Sequence, residues 1–172
     1  AVQTLAELTI GQDPLKIEAV LAKLRAAAGQ SGPGGIFTLA LSAIDIALWD
    51  IIGKESRKPI HKLIGGCFRS EVQCYATGLY FIDMDRLVEE AVEEACGYAD
   101  EGFPAIKMKI GLGDIRFDIR RVEAVRKSIP DNIRLMVDAN HCYSVAQAIR
   151  IGRELEQLNI EWFEEPISPE DL

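Results

Sequence analysis

The period of apolar and polar positions changes repeatedly along this chain. Three apolar runs, Phe103 to Ile110, Ile133 to Val137 and Ile160 to Phe163, are short and rich in branched or aromatic residues, and segments of helical period separate them. This alternation predicts βαβ units and a parallel sheet. Val72 to Thr77 alternates as an earlier strand, with Gly78 at its end. Helical spacing predicts elements over 14–28, 37–52, 59–64 and 84–99, one from Ile115 that Pro130 ends, and one opened by a Ser144/Gln147 capping box. Asp13 and Asp83 are the expected caps of the first and fourth helices, and Gly53 the expected stop of the second.

Polar residues interrupt the apolar runs at their ends: Lys107-Met108-Lys109, Asp138-Ala139-Asn140 and Glu164-Glu165-Pro166. Both faces of a parallel sheet are covered, so a charge arriving there enters dry space unless something needs it. Lys107 and Lys109 project to one face of their strand, away from Ile106, Met108 and Ile110. Adjacent cations repel, which favours loss of a proton from one and makes it a usable base. Asp138 follows Lys109 by 29 residues and precedes Glu164 by 26, so all would meet at the carboxyl-end rim of one barrel. Converging carboxylates suit a hard cation such as Mg²⁺. A base beside such an ion can remove a proton next to a substrate carboxylate. Taken singly, the lysines could be surface residues and the carboxylates helix caps; the coincidence across three strands argues against both. Asn140 shares the side of Asp138, whereas His141 points away and is read as a support.

The ordered set Lys-x-Lys, Asp-Ala-Asn and Glu-Glu-Pro resembles the barrel of the enolase superfamily, specifically its mandelate racemase and muconate lactonising group. The run from Ala40 to Gly53, continuing through Pro59 to Gly66, looks like that family's connection between capping domain and barrel. The resemblance covers nearly the whole chain. It implies an α/β fold, a partial modified (β/α) TIM-type barrel over 67–172, preceded by the helical portion of an α+β capping domain over 1–66. It also implies Lys109 as the base, Lys107 holding the substrate carboxylate, Asn140 contacting substrate, and Asp138 and Glu164 as Mg²⁺ ligands, with Glu165 auxiliary. The third metal ligand and the opposite acid/base would lie on later strands. The implied activity is a sugar-acid dehydratase first, a racemase or epimerase second and a cycloisomerase third. Readings of another class are a Schiff-base aldolase-type barrel using either lysine, or an inactive fragment.

Composition narrows this further. At 172 residues and 48% hydrophobic the chain can bury a core, but a complete barrel takes roughly 200 residues or more, so the chain is expected to be a piece of the fold. A net charge of −8 disfavours nucleic acid and anionic membranes. Cys67, Cys74, Cys96 and Cys142 lack C-x-x-C spacing and read as reduced thiols. With no signal peptide and no apolar run judged long enough to span a bilayer, a cytoplasmic homo-oligomer acting on small carboxylates is expected. The glycine-rich stretch 29–35 reads as a mobile connection, since the Walker lysine and serine are absent. Gly111-Leu-Gly113 is an incomplete dinucleotide fingerprint, so no nucleotide cofactor is expected. Asp45 is expected to pair with an arginine or cap a helix, Trp49 to lie in the core and His61 to be structural. Thr77 and Tyr80 are placed near the rim. The glutamates at 89, 90, 93 and 94, and Arg116, Arg120, Arg121 and Arg126, are read as solvated faces.

Overall fold

A computed structural model describes residues 1–29, 34–112 and 114–170, in two compact units, Ala1–Glu71 and Val72–Leu172. The first unit is helical: α1 (Val2–Glu7), α2 (Ile17–Ala27), α3 (Gly35–Glu55) and α4 (Ile60–Leu63). In α2 the residues at helical spacing, Ile17, Val20, Leu21 and Leu24, are all buried. They join Leu5 of α1 and Ala40, Ile44 and Leu48 of α3 in one core, against which Trp49 packs.

Several boundaries differ from the sequence reading. The short helix α1 was not foreseen. α2 starts at Ile17 rather than 14, because the Asp13 carboxylate accepts from the Leu15 amide in a turn of its own. α3 runs through Gly53 to Glu55, so that glycine is no stop. It is buried where a Cβ would lie 3.1 Å from the Lys58 carbonyl oxygen, and the close backbone approach requires it. By length and composition α3 is also apolar enough to cross a membrane, against expectation. Here it packs on α1 and α2 instead. Asp45 does not gain the expected partner: its Oδ1 is buried without a hydrogen bond among the described residues. Residues 30–33 of the glycine-rich stretch, and Gly113, lie outside the described residues.

The second unit alternates strictly: β1 (Ala76–Gly78), α5 (Leu87–Asp100), β2 (Ala105–Lys109), α6 (Ile115–Ser128), β3 (Arg134–Asp138), α7 (Val145–Gln157) and β4 (Ile160–Glu164). The strands pair in parallel in the order β1-β2-β3-β4, the progression of a (β/α) barrel carried through four strands. Ile106, Met108, Leu135 and Val137 are fully buried in one core with Ala91 and Ala95 of α5, Val122 and Val125 of α6, and Ile151 and Leu155 of α7. Each large aliphatic side chain so placed contributes about 1.5–3 kcal/mol. The capping box forms as read, Ser144 Oγ accepting from the Gln147 amide and the Gln147 side chain accepting from the Ser144 amide.

β1 is shorter than the predicted strand because β2 begins at Ala105, and among the described residues no strand reaches below Tyr75 to pair residues 72–75. Asp83 does not cap α5; its carboxylate accepts from the Asp85 amide, and Arg86 occupies the N-cap position. The glutamate face is not wholly solvated either. Glu94 accepts from the Leu79 amide at 2.9 Å and from the Tyr98 hydroxyl at 2.7 Å, and Glu90 accepts from the Asp83 amide. Of the arginines assigned to a solvated face, Arg116 and Arg120 are exposed, Arg126 donates to the carbonyls of Ile129, Pro130 and Ile133, and Arg121 is completely buried.

Candidate active site

Strand register brings the polar insertions together. Lys109 of β2 lies level with Asp138 of β3, and Asp138 level with Glu164 of β4. The second match depends on an irregularity. Between Leu135 and Val137 the β3/β4 register slips by one residue, so that Leu135 pairs with Ile160 but Asp138 pairs with Glu164 instead of Phe163. A one-residue slip exchanges the two faces of a strand. It therefore turns the carboxylate to the inner face and sends Phe163 to the helix-side core.

The side chains converge. Lys109 Nζ donates to Asp138 Oδ2 at 2.6 Å and to Asn140 Oδ1 at 2.8 Å. Lys107 Nζ donates to Glu164 Oε2 at 2.8 Å and lies 3.5 Å from Asp138 Oδ2. The Asp138 side chain is 3% exposed, those of the lysines 11% and 16%, and that of Glu164 35%, a gradient from a dry base to an open mouth. Burial pushes the Asp138 carboxyl up, but the Lys109 hydrogen bond, the Asn140 amide and both ammonium charges outweigh it and hold the group below the usual range. Lys107 is shifted up, chiefly by its hydrogen bond to Glu164, with burial opposing and the charges of Glu164, Tyr75 and Asp138 adding to the rise. The repulsion expected to free a proton from one lysine is thus countered, at Lys107, by the carboxylates between the two.

The second glutamate takes another place. Glu165 accepts from Asn140 Nδ2 at 3.2 Å and lies 3.5 Å from His141 Nε2, while His141 Nδ1 is 3.1 Å from the Ile167 carbonyl oxygen. His141 therefore supports the loop and does not face Asp138, as its alternation implied. Asn140, His141 and Glu165 all have left-handed backbones, with φ of 43°, 65° and 45°. Each costs of order 1–3 kcal/mol, and such residues collect where function holds them. Thr77 pairs with Lys107 on β1, and Tyr80 is exposed just beyond that strand. Tyr75, which the sequence reading did not single out, sits under the Lys107 ammonium at 5.9 Å and meets Trp162 edge to face.

Two carboxylates level with each other, with hard oxygen donors and an open side, fit an ion such as Mg²⁺ that keeps several waters and needs one or two protein carboxylates. Among the described residues no cluster of three or more metal-ligating side chains forms, so these two would be this chain's share of a site.

Known families match both parts of the chain. Residues 1–65 match the N-terminal domain of the mandelate racemase / muconate lactonizing enzyme family, and residues 90–172 match the enolase C-terminal domain-like family. The D-galactarolactone cycloisomerase of Agrobacterium fabrum is 46% identical over 172 residues, covering 99% of this chain and 45% of that protein. The arabinonate dehydratase of Saccharolobus solfataricus is 39% identical over 98% of this chain and 44% of its own length. The crystal structure of a racemase from Streptomyces coelicolor with bound magnesium superimposes with a TM-score of 0.86 at 40% identity, over 97% of this chain and 46% of that one. Other relatives include two further dehydratases and a racemase. The chain thus spans a little under half the length of the relatives it matches. By both domain matches and by these relatives, it belongs to the mandelate racemase and muconate lactonising group of the enolase superfamily.

Proposed function

We propose that the protein removes the proton from the carbon next to the carboxylate of a sugar acid, with dehydration as the net reaction. The observation that carries this reading is the convergence of Lys107, Lys109, Asp138, Asn140 and Glu164 on one rim. Lys109, as the neutral amine, takes the proton, and the electron pair of the broken C–H bond moves onto the substrate carboxylate oxygens. Lys107, kept protonated by its surroundings, holds that carboxylate. Asn140 hydrogen-bonds both Lys109 and Glu165, so it is placed to orient the base and to meet a substrate hydroxyl. Asp138 and Glu164 would hold Mg²⁺. When bound, the ion supplies positive charge beside the oxygens that gain charge, and competes with the lysines for their carboxylates. The electron pair then returns from the carboxylate oxygens to expel the hydroxyl of the neighbouring carbon, which leaves as water with a proton equivalent to the one Lys109 removed. The resulting enol tautomerises to the 2-keto acid.

A second reading, cycloisomerisation of a lactone through the same proton abstraction, is favoured by the 46% identity to the Agrobacterium enzyme. A Schiff-base mechanism fits less well, because it needs no divalent ion and leaves the two level carboxylates, Asp138 and Glu164, without a role.

The test is to incubate the full-length protein and Mg²⁺ with a panel of aldonates, aldarates and their lactones in D₂O. Deuterium should enter at the α carbon, with either a 3-deoxy-2-keto acid or a ring-opened isomer as product. Lys109→Ala should reduce exchange by at least about 10³-fold. Full exchange in that variant would remove the base assignment, and borohydride trapping of a keto substrate on either lysine would favour the Schiff-base alternative.

A further inference from the structure

We propose that Arg121, with Asp118 one turn earlier on α6, is a positioning residue that fixes the backbone carrying the Lys109 base; this rests on the reading of Lys109 given above. Arg121 is fully buried, and among the described residues each of its hydrogen bonds goes to a main-chain carbonyl. Nη1 donates to the carbonyl of Lys109 itself at 2.5 Å. Nη2 donates to Leu79 at 2.6 Å and Tyr80 at 3.1 Å, just past β1, and Nε donates to Leu87 at 2.9 Å, where α5 begins. The guanidinium also lies 4.8 Å from the centre of the Phe81 ring. One side chain thereby ties three separate segments of the rim to a single plane. Only a fork of fixed geometry does this; an ammonium is a point donor and cannot reach all of them at once.

Asp118, also fully buried, completes the hold from the other side. Its Oδ1 accepts from the Gly111 amide at 3.0 Å and the Leu112 amide at 3.4 Å, two and three residues past Lys109. Its Oδ2 accepts from the Tyr143 hydroxyl at 2.6 Å, in the loop that follows Asp138 and Asn140. Lys109 is therefore gripped at its own carbonyl and again just downstream, and the downstream grip is shared with the loop bearing its hydrogen-bond partners. Burying a guanidinium is costly, and apolar residues would pack α6 on the sheet without it. The conformation it holds is also one the chain avoids. Leu79, fully buried, has φ +56°, and its carbonyl is bound by Arg121 while its amide is bound by Glu94.

The test uses the full-length protein and the pair Arg121→Gln and Arg121→Lys, with Tyr143→Phe as a milder release of Asp118. Each is assessed for cooperative unfolding, then for backbone amide exchange at Ile110 and Gly111 and for α-proton exchange of substrate. A displaced base costs rate more than binding, so folded Arg121→Gln should lose roughly 10²-fold in kcat with KM within about threefold. Protection at Ile110 and Gly111 should fall while that at Leu135 and Val137 holds. Arg121→Lys should recover less than half of the kcat loss on a logarithmic scale, and Tyr143→Phe should show a smaller loss of the same kind. A folded Arg121→Gln protein with unchanged kcat and unchanged protection overturns the proposal, as does full rescue by lysine. If the unmodified protein exchanges no α proton from any substrate, the enolisation reading fails by itself; amide protection then still decides whether Arg121 fixes the Lys109 segment.

Discussion

Asp138 is the residue on which the site turns, since it accepts from Lys109 and the Asn140 amide and lies 3.5 Å from Lys107. Its carboxyl is held below the usual range, so the fold favours the ionised form. By linkage this stabilisation is present above the unfolded value of 3.8 and is lost as pH falls through the folded value. Asp138→Asn should therefore flatten the acid limb of the stability profile below about pH 4. The same change should weaken Mg²⁺ binding by at least about tenfold, measured by calorimetry. Tyr98 gives the alkaline counterpart. Its hydrogen bond to Glu94, with burial and the Glu94 charge, raises it from 10.0 to about 12. The fold favours the neutral phenol, so that stability is complete below pH 10 and fades as pH rises through about 12. Tyr98→Phe should lose about 1 kcal/mol at pH 8, and its stability should then vary less than that of the unmodified protein between pH 10 and 12. That the side chains of Lys107, Lys109, Asp138, Asn140 and Glu164 would meet at one rim was legible in the sequence, because charge at the end of a buried strand needs a reason. Arg121 and Glu94 were not, because a helical charge that caps main-chain groups has the same sequence pattern as one that faces water.

At the scale of elements, periodicity located every strand of the sheet but not its register. No alternation rule announces the slip that pairs Asp138 with Glu164, since Glu164 and Glu165 offer carboxylates of either parity and only the β3/β4 ladder chooses between them. Caps were legible where the side chain had one option, as at Ser144, and misread at Asp13 and Asp83, where a local turn competes for the same oxygen. The junction of β1 and α5 is the tightest of these seams. A Cβ on Gly78 would fall 2.2 Å from Glu94 Oε1 and 2.6 Å from the Tyr98 hydroxyl. Gly78→Ala must therefore displace the pair that holds the Leu79 amide, and should destabilise by about 1–3 kcal/mol in chemical denaturation. If the alanine variant is as stable as the unmodified protein, that seam is looser than its distances indicate.

For the whole molecule the decisive feature is the pair of sheet edges. Among the described residues β1 pairs only with β2, and β4 only with β3, so each outer strand presents unmatched main-chain donors and acceptors. Trp162 on β4 is 40% exposed, and α3 leaves Ile36, Leu39 and Ile46 each more than 60% exposed. An unpaired edge is a template for another copy, and an exposed apolar helix face is a separate route to association; a net charge of −8 opposes both only weakly at physiological salt. The 172-residue chain expressed alone should therefore self-associate at micromolar concentration, seen as a concentration-dependent mass in light scattering. Lysine is the residue by which natural edge strands block such pairing, and Trp162→Lys places it on β4, at the cost of the edge-to-face partner of the Tyr75 ring beneath Lys107. That variant should lower the associated fraction severalfold, whereas a matched change on α3, Leu39→Lys, separates helix-driven association from edge pairing. A chain that stays monomeric at high concentration would mean that the two edges are already satisfied, and association through Leu39 alone would place the contact on the helical unit.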